Sequence, residues 1–224
     1  MFKEILDLFK RHSALEEIEA EFLSMLEIGR DMFERGTQCM VTGTVEHDTE
    51  AYILAQDQRL NELEQSIRRR LYTHLLVSGT ANLHPAMAFM SIVKDAERLG
   101  DFSKNIFATL KRVKEENPAP SPKIKLRLRE HVLRQFINIH TAIANQDETL
   151  AREIVELSRR DQRECDGYIW DLVEGRGDAI GIENPVASAL LFRFFKRVLS
   201  HLVNIGTSVY LPLDKLDAFD EPEM

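Results

Sequence analysis

Apolar residues recur along this chain at the period of a helix and not of a strand. Leu15, Ile18, Phe22, Met25, Leu26 and Phe33 fall three, four or seven residues apart, which places them on one helical face. Ser13 with Glu16 makes a capping box, so the first long helix is expected from Ser13 to about Arg35. Ahead of it, Phe2, Ile5, Leu6 and Phe9 share a face of a short amphipathic leader. The leader is expected to dock on its own bundle, with a partner or a membrane surface as alternatives. Gly36 to Gly43 interrupts the pattern. A second helix is expected to start between Thr44 and Thr49 and to run to about Val77, carrying Leu54, Leu60, Leu63, Ile67, Leu71 and Leu75. Ser78, Gly79 and Asn82 read as a loop, and Pro85 suits the first turn of a third helix. That helix carries Met87, Met90, Val93, Leu99 and Ile106 past Leu110, until Asn117, Pro118 and Pro120 stop it.

The pattern then repeats weakly, with a period of about 100 residues. Ser121 with Pro122 is expected to cap a fourth helix carrying Leu126, Leu133, Phe136 and Ile137 to about Asn145. Asp147 caps a fifth, running through Leu150, Ile154 and Leu157 to about Glu174. GRGDAIG, Gly175 to Gly181, reads as a loop and lacks the Lys-Ser/Thr of a phosphate cradle. Asn184-Pro185 opens a sixth helix that ends before Pro212, and DAFDEPEM reads as a frayed acidic tail. The expected fold class is therefore all-α: a tandem pair of three-helix bundles, residues 1–118 with the leader and residues 119–224, built from six long antiparallel helices.

Composition narrows the function. With 44% apolar residues the 224-residue chain can fill a substantial core. The formal net charge of −8, from 37 acids against 29 Lys plus Arg, argues against nucleic acid despite the run Arg68 to Arg70. It favours divalent cations or basic protein surfaces. Two cysteines, Cys39 and Cys165, form no CxxC pair, so a reduced cytoplasm is expected and a disulfide framework is not. No run of apolar residues approaches the length of a membrane span, and no signal peptide is read. None of the seven histidines has Glu three residues before it, which leaves a ferritin-like di-iron site unsupported. With no G-x-S-x-G or H-E-x-x-H either, the chain is not expected to be an enzyme. His84, His131, His140 and His201 read as caps, surface residues or polar core.

The acids of the third helix are the candidate chemistry. Glu97 and Asp101 stand four apart on one side of a helix with a buried face, while Asp95 lies off that line. Such a like-charged pair stands either on a solvated face or where a cation neutralises it. On the second helix Asp57, Asn61 and Glu64 lie at i, i+4 and i+7, one stripe that antiparallel packing could bring to Glu97 and Asp101. Four carboxylates and an amide would make a hard-oxygen pocket suited to Mg2+, Mn2+ or iron, and the alternative is a merely polar face.

Within SIVKDAERLGDFSKNI, Ser91 to Ile106, the stretch KDAERLGDFSKNI closely resembles the repeated motif of the PhoU family of phosphate-uptake regulators, roughly K-x-L-E-R-I-G-D-H-A-x-N-I. Lys94, Glu97, Arg98, Gly100, Asp101, Asn105 and Ile106 fall on it. DQRLNELE likewise resembles the family's D-x-E-I-N-x-L-E, on Asp57, Asn61 and Glu64. The resemblance implies a regulator of phosphate uptake or signalling that contacts a phosphate transporter ATPase or a sensor histidine kinase and forms a homodimer. It also implies metal at such motifs, including iron or zinc clusters. The competing classes are a carboxylate-bound metal enzyme, a metal-storage bundle, and an accessory protein of another transporter.

The second half resembles the motif less. SHLVNIG, Ser200 to Gly206, keeps His201 and Asn204, but Lys196 and Ser200 stand where the family has Glu and Asp. Opposite them Asp161 matches Asp57, while Cys165 falls on Asn61 and Tyr168 on Glu64. Lys196 is expected to pair with Asp161 in place of a metal, with a softer Cys165–His201 site as the alternative. The first seam is expected to lack an internal cation, because Arg98 is turned about 100° from Glu97. Metal is accordingly expected at Asp57, Asn61, Glu64, Glu97 and Asp101 only.

Overall fold

The computed structural model describes residues 2–78, 83–116, 119, 121–177 and 184–216. Helix α1 spans Phe2–Thr37, a short α2 Cys39–Thr42, α3 Thr49–Ser78, α4 Leu83–Glu116, α5 Lys123–Asn145, α6 Glu148–Val173 and α7 Pro185–Thr207, followed by a 3-10 turn at Leu213–Lys215. No strand occurs among the described residues. The loop expected at Gly79 to Asn82, the stop at Asn117, Pro118 and Pro120, the later part of GRGDAIG and the acidic tail lie outside them.

The first helix corrects two boundaries. It runs straight through Ser13, so the capping box is interior and the leader is its first turns. The first 28 residues contain no Gly or Pro, and nothing local stops the helical pattern there. At the other end Gly36 lies inside the helix because α4 approaches it closely: an added Cβ would stand 3.3 Å from the Phe107 Cβ. The reversal falls at Gly43, whose φ of 84° is left-handed and whose N–H caps Cys39 O at 3.0 Å.

Two later helix starts follow the caps read in the sequence. The Asp147 side chain accepts from Leu150 N and the Asn184 side chain from Ala187 N, each at 3.0 Å. Ser121 does not cap α5. Its N–H donates instead to Met40 O at 2.7 Å, tying the start of the second half to α2.

Long-range ion pairs show the helix directions. Lys104–Asp57 and Lys111–Glu50 join α4 to α3 with one number rising as the other falls, which is antiparallel packing. His131–Asp161 with Arg127–Glu164 shows the same for α5 and α6. Helices α1, α3 and α4 form one bundle and α5, α6 and α7 another, but α4 also packs along α7 and α1 along α5. One apolar core runs through both. Phe33 of α1 sits at the join, 5.8 Å from the ring of Phe136 and 5.7 Å from that of Phe195. Buried Arg129 of α5 donates to Thr37 Oγ1 at 2.9 Å and to Glu34 O at 3.3 Å, satisfying the end of α1 across the same join. Leu54, Met87 and Ile137, expected on apolar faces, are instead exposed: each directly follows a buried residue, Ile53, Ala86 or Phe136, and is turned about 100° from it, away from the buried face.

Candidate functional site: the carboxylate seam of the first half

Antiparallel packing of α3 on α4 brings the acids of both helices to one seam, and places a lysine among them. Lys104 Nζ donates to both carboxylate oxygens of Asp57 at 2.7 Å and to Asp101 Oδ1 at 3.1 Å. Arg98 also belongs to the seam: its Nη1 lies 3.0 Å from Asp101 Oδ2 and its Nε 3.6 Å from Glu97 Oε2. The expectation of a seam without an internal cation is therefore corrected. A long side chain spans the i, i+3 interval that a single helical-wheel angle ignores. Glu64 pairs along its own helix with Arg68 at 3.0 Å, and Asn61 Nδ2 turns back to Asp57 O at 3.1 Å.

Burial disfavours the Lys104 ammonium, but its hydrogen bonds to Asp57 and Asp101 outweigh that, and its pKa is held above the ordinary lysine value. Glu97 behaves oppositely. Burial first, and then Asp101, push its pKa up to about 7; Arg98 opposes this, while Glu64 and Asp57 add to it. Between its ordinary value of 4.5 and about 7, folded Glu97 holds a proton that the unfolded chain has lost. Its contribution to stability is thus greatest below the ordinary value and falls as pH rises through neutrality. Glu97→Gln should remove this slope. Between about pH 5 and pH 8 the variant should gain roughly 1–2 kcal/mol relative to wild type, allowing for solvent screening. Urea midpoints at the two pH values measure it, and parallel shifts in both proteins would contradict the raised pKa.

The donor set as arranged does not fit a metal ion. Among the described residues no three His, Cys, Asp or Glu side chains converge on a point where an ion could sit. Two of the acids are engaged by Lys104, and the amide of Asn61 faces its own backbone. The seam holds two helices together electrostatically, with no nucleophile and base in contact.

The second half differs from expectation in its partners. Lys196 pairs with Asp166 at 3.0 Å, not with Asp161. Asp161, buried, faces His131 Nδ1 at 3.2 Å from both oxygens. Cys165 is also buried, and burial with Asp161 nearby pushes its thiol up. No Cys165–His201 pair forms, because His201 turns to α4: its Nδ1 lies 2.6 Å from Asp95 Oδ1, and its ring stacks on Phe102 at 5.5 Å. Asn204 Nδ2 donates to the same Asp95 oxygen at 3.1 Å. Asp95 was separable from the seam by its place on the helical wheel, but its partners across the join were not legible. Lys104 was missed although an acid–lysine pair at i, i+3 signals it.

Residues 22–109 match the family model described as PhoU domain. The whole fold is similar to the crystal structure of PhoU from Pseudomonas aeruginosa, with a TM-score of 0.76, 18% identity, and 88% of this chain and 96% of that one covered. It is similar also to that of the phosphate transport system regulatory protein PhoU from Streptococcus pneumoniae, with a TM-score of 0.77, 15% identity, and 96% and 100% covered. No curated protein matches the sequence significantly. The domain match falls on the helices that carry the KDAERLGD and DQRLNELE motifs, so residues 22–109 are similar to a PhoU domain, and the chain as a whole shares the fold of both solved structures.

Proposed function

We propose that this protein regulates phosphate transport by protein–protein contact with a phosphate transporter ATPase or a sensor histidine kinase. The observation that carries the reading is the match to a PhoU domain over residues 22–109. Similarity along nearly the whole chain to a Streptococcus pneumoniae protein described as a phosphate transport system regulator supports it. The architecture suits the role: two bundles joined through one core present long helical surfaces, and the net charge of −8 suits basic patches on a partner. A metal-dependent enzyme or storage protein is the weaker reading, since Lys104 stands among the acids such chemistry would need.

Partner capture tests the proposal. Cross-linking in cells grown with abundant or limiting phosphate should recover the transporter ATPase or the kinase with this chain, in amounts that change with phosphate supply. Deletion should alter phosphate uptake. Recovery of neither partner under either condition, with uptake unchanged on deletion, would overturn it.

A further inference from the structure

We propose that Lys104 is a built-in counter-ion that excludes divalent metal from the first carboxylate seam. Its ammonium stands between α3 and α4, bonded to Asp57 and Asp101 from the two helices, where a bridging cation would have to sit. Three N–H donors meet three carboxylate oxygens, so its hydrogen-bonding capacity is filled. With Arg98 on Asp101 and Glu97 and Arg68 on Glu64, four carboxylates face three cations without any ion from solution.

A divalent cation would gain little here. It requires about six oxygen ligands, and to obtain Asp57 and Asp101 it would have to displace Lys104 and then tolerate that ammonium on the neighbouring turn. The seam is also reachable from solvent, the Lys104 side chain being 32% exposed, so competition and not inaccessibility decides its occupancy. The α3–α4 contact consequently keeps its geometry whether metal is abundant or scarce. Nothing in this depends on the regulatory role, which partner capture tests separately.

Mn2+ binding to wild type, Lys104→Met and Lys104→Arg, measured by calorimetry, tests the proposal. One neighbouring charge shifts an ionisation by about one to three pKa units, so loss of the ammonium should tighten Mn2+ binding about tenfold or more. Lys104→Arg, which keeps the charge, should bind as weakly as wild type. Equal Mn2+ affinity in wild type and a folded Lys104→Met, or wild type that retains one metal per chain through purification, would overturn the proposal. If Lys104→Met fails to fold, the ammonium resonance of Lys104 in 15N-labelled wild type decides. It should be unmoved by millimolar Mg2+, whereas its displacement would refute the built-in counter-ion.

Discussion

Truncation of Phe33 to alanine is expected to destabilise the protein by about 4 kcal/mol. The ring is fully buried in α1 and packs on Phe136 of α5 and Phe195 of α7, so its removal opens a cavity bounded by three helices from both halves. Such a site collapses poorly, because each wall belongs to a long helix held elsewhere along its length. The loss should also be shared by both halves. Trp170, the single tryptophan, lies in α6 and reports on the second half, whereas far-ultraviolet circular dichroism reports on the whole chain. Urea transitions by the two probes should coincide in wild type and shift together in Phe33→Ala. A fluorescence midpoint unmoved by the substitution would mean that the halves unfold independently and that the shared core does not couple them.

Gly100→Val is expected to cost about 3 kcal/mol. A Cβ at Gly100 would overlap the Leu60 Cδ1 of α3 and stand 3.4 Å from the Met32 sulfur of α1, and valine adds two methyl groups to that collision. Leu60 and Met32 are both buried and have little room to rotate away. The position therefore records how closely α3 passes α4, between Glu97 and Asp101 of the seam. Gly167→Ala supplies the contrast. No atom lies within 4 Å of an added Cβ there, so the substitution should stabilise α6 by about 0.5–1 kcal/mol through helix propensity alone. Chemical denaturation of both variants reads the difference, and similar effects at the two glycines would show that α3 does not crowd Gly100.

The candidate site was legible as a set of positions and illegible as a set of bonds. The stripe Asp57, Asn61, Glu64 and the pair Glu97, Asp101 follow from helical spacing, and the seam assembles from them. Their partners depend on which rotamer a long side chain adopts between two helices. Periodicity does not contain that information.

What the sequence by itself determined was the helical period, the all-α class, the caps at Asp147 and Asn184, and the reversal ending at Gly43, though not the helix starts expected at Ser13 and Ser121. These rest on backbone geometry and on hydrogen bonds three or four residues long, so local residues suffice. Tertiary structure alone decided the register between helices. It placed Lys196 beside Asp166 and not Asp161, turned His201 onto Asp95, carried Lys104 to Asp57, and stacked α4 on α7 so that two bundles share one core. A sliding helix pair changes its neighbours by a whole turn without changing either helix's own pattern. Which register wins is settled by the fit of buried side chains such as Phe33, Leu60 and Phe195, residues remote from one another along the chain.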